Sequence, residues 1–287
     1  MDIPIIPGLG PLAARYDGFL LDLWGVVHNG HEPYRHAVDC MRRLRGGGGR
    51  VLLLSNAPRR AEAVQRLLDR IGVPCDAYDD ILTSGELTRR ALADARDGMA
   101  GTNYLRLGPE RDWELLEGLD FTPVPDLAQA DFVLCTGLYD DETETVDDYA
   151  GLLAAAAERR LPMLCANPDL TVMRGSKSVL CAGAIAAAYE ACGGKVRYHG
   201  KPHAGAYAAC FDLLQIPASR LLAVGDSLRT DIAGAQGAGI ASVLVAGGIH
   251  AEEWGLKPGE VPDGAKLAAA CDRAGVRPAA VIAGLRW

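Results

Sequence analysis

No apolar stretch in this 287-residue chain approaches the length of a membrane span; the longest are strand-length. Nor is there a long basic run, and 37 acidic side chains outnumber 29 basic ones for a net charge of −8. That balance argues against nucleic acid and against an anionic membrane as partners. The opening residues, Met1 to Pro7, have neither the basic region nor the apolar core of a secretory leader, so none is expected. Eight cysteines (Cys40, Cys75, Cys135, Cys165, Cys181, Cys192, Cys210 and Cys271) form no C-x-x-C pair. Most lie in apolar or alanine-rich runs, where buried thiols are expected. These absences point to a reduced, cytoplasmic protein, and no internal repeat stands out.

What is present is material for a large core. Hydrophobic residues make up 49% of the chain, and its length suits one large domain or two ordinary ones. The run Gly18 to Leu21 delivers the chain to Asp22 and then, past Leu23 and Trp24, to Gly25. A continuous apolar run ending in a polar residue reads as a buried parallel strand, and ligands bind at the carboxyl ends of such strands. Tyr34 to Arg45 has helical spacing and stops at the glycines 46–49. Arg50 to Ser55 reads as a second strand, followed by a helix from Pro58 to about Ile71. From Ser84 the pattern changes: helix to Ala95, strand Asn103 to Leu107, helix Arg111 to Leu119, strand Asp131 to Thr136, helix Thr145 to Arg159, strand Pro162 to Ala166. These elements suffice for an inserted α/β layer. Val196 to Pro202 reads as a return to the first unit. It precedes a helix from His203 to Gln215, a strand Arg220 to Gly225 and a helix start carrying Arg229, Thr230 and Asp231. A further strand, Ala241 to Ala246, a helix, Asp263 to Ala274, and a strand near Ala279 to Ala283 complete the chain. The expected architecture is a doubly wound, Rossmann-like parallel α/β core of residues 1–83 and 190–287, with an α/β cap of residues 84–189 inserted.

Four strand-end signals converge: Asp22, Ser55 with Asn56, Lys201, and Gly225-Asp226 with Asp231. A lone Asp after a strand is as often a turn or capping residue; four signals in one sheet are a site. A carboxylate that attacks phosphorus must approach another anion, so its charge has to be offset. Mg²⁺ suits that task, because it binds through a few carboxylates and keeps positions for phosphate oxygens. Asp22 and Asp226 supply carboxylates, and Asp231 ligates or orients a water. Lys201 neutralises the phosphoryl oxygens, while the Ser55 hydroxyl and nearby N–H groups cradle the transferring group.

These motifs, in this order, resemble the haloacid dehalogenase superfamily of aspartate-nucleophile phosphohydrolases over essentially the whole chain. The subclass resembled is class IIA, with its large α/β cap, which includes p-nitrophenyl phosphatase and nucleotide phosphatase relatives. The resemblance implies that Asp22 is the nucleophile, Ser55 the second-motif phosphate binder, and Lys201 of Gly200-Lys201-Pro202 the third-motif lysine. Asp226 and Asp231 match the fourth, metal-binding motif. Ala166-Asn-Pro-Asp169 and the stretch from Cys181 to Ile185 resemble cap segments. Asn56 and Asp169 are then expected at the substrate, with Mg²⁺ held by Asp22, Asp226, Asp231 and the Trp24 backbone carbonyl. The implied activity is Mg²⁺-dependent hydrolysis of a small phosphate monoester, of sugar-phosphate or nucleotide type, through an aspartyl phosphate. The expected partner is a small phosphorylated metabolite, and a homodimer is compatible with this reading.

One position departs from the pattern. The family usually has a second Asp two residues after the nucleophile, as general acid and then base; here it is Trp24. Indole is a donor only and exchanges no proton usefully. Three readings follow: His28 takes over proton transfer, the leaving group departs without protonation, or the protein binds a phosphorylated ligand and barely turns it over. Trp24 itself is read as filling space beside the metal rather than stacking on a substrate ring. Arg59 and Arg174 are candidate anion binders, although exposed arginines are usually only solvated. Lys177 is the only cap lysine in place for Schiff-base phosphonate chemistry, with Lys195 near the cap's end. His199 and His203 flank Lys201 without ligand spacing. Gly234 to Gly239 reads as a close-packed helix end, not a dinucleotide fingerprint.

Overall fold

The computed structural model describes residues 3–94, 101–175 and 177–287. Among the described residues thirteen strands follow one another: β1 (Gly18–Leu21), β2 (Arg50–Ser55), β3 (Asp80–Thr83), β4 (Asn103–Leu107), β5 (Thr122–Val124), β6 (Phe132–Cys135), β7 (Pro162–Cys165), β8 (Thr171–Arg174), β9 (Lys177–Leu180), β10 (Lys195–Tyr198), β11 (Leu221–Gly225), β12 (Ala241–Val245) and β13 (Ala280–Ile282). Six form a parallel sheet in the order β13-β12-β11-β1-β2-β3. From β1 the chain winds outward one way through β2 and β3. After the insertion it returns on the other side of β1 and winds out through β12 and β13. The strand order therefore reverses between β1 and β11, which is where ligands bind in open α/β sheets.

The apolar runs form strands because both sheet faces are covered. Phe19, Leu21, Val51 and Leu53 point into one core, and Leu20, Leu52 and Leu54 into the core on the opposite face. The second sheet, β10-β7-β6-β4-β5, is also parallel and also buried on both sides. Val133, Cys135, Met163 and Cys165 face one of its cores, and Tyr104, Phe132, Leu134 and Leu164 the other.

Several elements differ from the sequence-based expectation. The run beginning at Val196 does not return at once to the first sheet. Residues Lys195–Tyr198 pair with β7 at the edge of the second sheet, and Val196 and Tyr198 pack against its core. The helix Ala182–Ala191 packs there as well, so the return crossing falls near residue 199 rather than 190. The helix Ser84–Ala93 is shared, with Leu87 in a core of the first sheet and Leu92 in one of the second. Its expected end at Ala95 lies outside the described residues. The helix expected from Arg111 is a 3₁₀ segment, Glu110–Leu116, and the one expected from Pro58 begins at Ala61. Arg229 to Asp231 lie in a π-type turn, Leu228–Ile232, rather than an α-helical first turn. The antiparallel hairpin β8–β9 was not anticipated. Gly234 sits against Tyr207, as a close-packed helix requires.

Leu53 is fully buried beside Phe19 and Leu21. Leu53→Ala is expected to cost about 2–5 kcal/mol through the lost apolar contact and the cavity left behind. Urea unfolding should show a lower midpoint with an unchanged slope.

Candidate active site

Asp22 begins the loop after β1, and its backbone N–H donates to the Val224 carbonyl at 2.9 Å, tying this strand end to β11. Asp226 follows β11 directly. The carboxylates of Asp22, Asp226 and Asp231 offer oxygens that all lie within 4.8 Å of one another. Into this cluster reaches Lys201, whose Nζ lies 2.6 Å from Asp22 Oδ1 and 2.7 Å from Asp231 Oδ1. Lys201 is 3% exposed, so this is a buried ion cluster rather than a surface pair. Asp226 Oδ2 accepts the Ile249 N–H at 2.7 Å, and Asp231 Oδ2 accepts that of Ser227 at 3.1 Å. The chain crosses the Asp226 carboxylate closely enough that a Cβ on Gly248 would lie 2.0 Å from Oδ2.

Three carboxylates against one ammonium leave two uncompensated negative charges in a dry place. Burial, followed by the influence of Asp231, lifts Asp22 to about 7 against the pull of Lys201. Burial and the neighbouring Asp22 and Asp231 carboxylates push Asp226 well above the carboxylate range. Burial disfavours the Lys201 ammonium, but Asp22, Asp231 and Asp169 outweigh it and keep the group charged. The excess charge is that of one divalent cation, and an all-oxygen donor set of this kind suits a hard ion such as Mg²⁺.

Asn56 follows Ser55 at the end of β2. Its Oδ1 accepts the Lys201 N–H at 2.8 Å, and its Nδ2 donates to the Lys201 carbonyl and to Asp169 Oδ1, both at 3.0 Å. Both amide hydrogens are thus taken, and Asn56 positions Lys201 and Asp169 rather than offering a free amide to substrate. Gly200 has φ +117°, and a Cβ there would lie 2.5 Å from Asn56 Oδ1, so only glycine lets the backbone approach the Asn56 side chain. Ser55 is buried, and its Oγ accepts the Ala57 N–H at 3.2 Å. Burial raises the carboxyl of Asp169 against the pull of Lys201.

Between the two sheets lies a chamber of two lobes that share Asp22, Trp24, Asp169 and Val172. One lobe contains Lys201, Asp226 and Asp231. The other, about 910 Å³ with its mouth included, is lined by Ser55 and His28 from the first sheet's loops and by cap residues. The β8–β9 hairpin walls both. Trp24 packs against His28 and Gly30.

The candidate arginines are not free anion binders. Arg59 pairs with the buried Asp112 at 2.8 Å, joining the first sheet's loops to the cap. Arg174 pairs with Asp141 at 2.7 Å and Glu142 at 2.9 Å, and Arg111 also bonds Asp141. These contacts, with the Arg174 hydrogen bond foremost, hold Asp141 down at about 2. Lys177 is half exposed and paired with Glu142 at 2.7 Å. His203 stacks on Tyr198. Sequence reading missed Ser84, which bonds the carbonyls of Ala57 and Ala166, and the Arg229 bond to the Pro168 carbonyl. The only signal for Ser84 was its place at the end of an apolar strand.

Asn56→Ala is expected to destabilise the protein by about 1–3 kcal/mol, because the buried Lys201 peptide loses its partners. Chemical denaturation of the variant and the parent checks this.

Two family models match the chain: haloacid dehalogenase-like hydrolase over residues 19–122 and HAD-hydrolase-like over residues 198–286. The residues between them are mostly cap. A crystal structure of a haloacid dehalogenase-like hydrolase from Brucella suis is 36% identical with a TM-score of 0.85, covering 98% of this chain and 100% of that one. A D-glycerol 3-phosphate phosphatase of Mycobacterium tuberculosis is 28% identical over 83% of this chain, which spans 65% of that protein's length. A solved glycerol phosphate phosphatase from the same organism, in complex with magnesium, is 27% identical with a TM-score of 0.64, covering 83% of this chain and 69% of that one. The strand that leads to Asp22 and the strand that leads to Asp226 fall one in each matched segment and are adjacent in a single sheet. The chain belongs to the haloacid dehalogenase-like hydrolase family.

Proposed function

We propose that the chain is a Mg²⁺-dependent phosphatase of small phosphate monoesters, of sugar-phosphate or nucleotide type. The observation that carries this reading is the buried cluster of Asp22, Lys201, Asp226 and Asp231 at the strand-order reversal, beneath a capped chamber. The magnesium complex of a related phosphatase supports the choice of metal. Asp22, Asp226, Asp231 and the Trp24 carbonyl would hold the ion. When bound, the ion supplies positive charge beside the phosphoryl oxygens and the nucleophile.

Asp22 attacks phosphorus in line to form an aspartyl phosphate, which water then hydrolyses. Lys201 holds the Asp22 carboxylate in place through its 2.6 Å contact and offsets charge on the transferring group. Asn56 fixes Lys201 through its backbone, and Ser55 lines the phosphoryl site. The cap excludes water and sets which leaving groups fit. The eight free cysteines support a reducing, cytoplasmic setting. Among the described residues, no helix is long and apolar enough to cross a membrane.

Trp24 favours a second reading, a protein that binds phosphorylated ligands and turns them over weakly. Loss of a general acid–base typically costs about 10²–10⁴-fold in rate. Phosphate release from small monoesters, with and without Mg²⁺, separates the two. The phosphatase reading expects turnover that needs both Mg²⁺ and Asp22, with Asp22→Asn inactive. Tight Mg²⁺-dependent phosphate binding without turnover on any ester supports the second reading, and Trp24→Asp should then restore hydrolysis.

The melting temperature should also rise with Mg²⁺, because an ion bound only by the folded state stabilises by about 2.7 kcal/mol at a hundred times its Kd. Asp226→Asn should lose most of that rise.

A further inference from the structure

One buried polar group in the chamber has no part in the mechanism above. His28 is fully buried, and its Nδ1 accepts the Gly30 N–H at 2.9 Å. A ring nitrogen that accepts must carry a lone pair, so the imidazole proton sits on Nε2. That Nε2 has no hydrogen-bond partner among the described residues, although a buried donor ordinarily has one. The ring packs edge-on to Trp24, with centroids 5.0 Å apart, and borders the same lobe as Asp22 and Ser55. Lys201, Asp226 and Asp231 line the other lobe. His28 therefore lines the lobe that does not contain Lys201, Asp226 and Asp231.

We propose that His28 donates a hydrogen bond from Nε2 to the leaving-group oxygen, and that the enzyme is specific for esters whose leaving groups depart as stable anions. The substrate class is aryl, enol, acyl or anomeric phosphates rather than simple alkyl ones. This rests on the phosphatase reading and deepens it. A base role is barred because the free lone pair on Nδ1 is taken by Gly30, and an acid role would leave an imidazolate.

As the bond from Asp22 to phosphorus forms, the phosphorus–oxygen ester bond breaks and its electron pair stays on the leaving oxygen. The Nε2 proton remains on nitrogen, and the departed anion takes a proton from water. Water then adds to phosphorus, the Asp22 carboxylate leaves with its electron pair, and a water proton goes to the released phosphate. A neutral donor offsets less charge than a transferred proton, so the rate depends steeply on how basic the leaving group is.

The test is hydrolysis, with Mg²⁺ present, of phenyl phosphates that differ in leaving-group pKa, by the parent, His28→Phe and His28→Gln. For the parent, kcat should fall steeply as the phenol becomes more basic. His28→Phe should lower kcat for the most basic phenol about tenfold more than for the most acidic, with KM little changed, and His28→Gln should recover part of that loss. An equal loss on every ester, or none, would mean that His28 only fills space, and overturns the proposal. A flat dependence in the parent overturns it too. Nitrogen-15 NMR of labelled histidine provides a readout independent of turnover. A neutral ring protonated on Nε2 is expected at neutral pH, and any other protonation state contradicts the assignment. Absence of turnover on every ester would sink the phosphatase reading itself, and this inference with it.

Discussion

The contact on which this structure depends is the buried bond from Lys201 to Asp22 and Asp231. Removing charges from water is expensive, and a buried pair contributes little net stability even when well made. Its effect here is to gather the chain. Asp22 ends the first strand, Lys201 follows the cap, and Asp231 follows β11, so one ammonium joins three distant stretches of sequence. The glycines at 200 and 248 let backbone approach the cluster, and Asn56 grips the Lys201 peptide from both sides. The arrangement stays electrically lopsided, with more carboxylate than ammonium, and that imbalance is the feature a divalent cation completes.

Much of this was legible in sequence because the first sheet is buried on both faces. Continuous apolar runs mark its strands, and polar residues where those runs stop mark the ligand-binding end. Asp22, Ser55 and Asp226 stand at such ends, whereas Lys201 follows an edge strand of the second sheet and Asp231 lies in the turn beyond Asp226. Geometry altered the meaning of Asn56, whose amide is consumed by Lys201 and Asp169. Other features had no such signal. The strands Thr171–Arg174 and Lys177–Leu180 are half exposed and, among the described residues, form a sheet with each other alone, so they show neither a buried run nor clean alternation. Lys195–Tyr198 looked like the way back to the first sheet because it leads straight into the Lys201 motif. The edge position of that strand leaves alternate side chains in solvent and hides its membership of the second sheet. The ties of Asp141 to Arg111 and Arg174 join residues 30 and 33 apart, beyond the reach of local pattern.

The replacement of the usual second carboxylate by Trp24 also reads differently in three dimensions. The indole packs on His28 and Gly30 and lines both lobes of the chamber. An apolar ring therefore sits where a proton carrier is customary, without disturbing the three carboxylates. The expectation that His28 inherits proton transfer meets a specific obstacle, the Gly30 N–H on its Nδ1. With no acid at position 24, the proposed preference is for esters that already leave readily.

The central claim is that Asp22 becomes covalently phosphorylated. The most direct measurement is mass spectrometry of the enzyme quenched in acid during turnover of an activated ester with Mg²⁺. The account predicts one phosphoryl group, on the peptide that contains Asp22, absent in Asp22→Asn and lost on treatment with hydroxylamine. Turnover with an unmodified Asp22 peptide, or with the label on another residue, would contradict it.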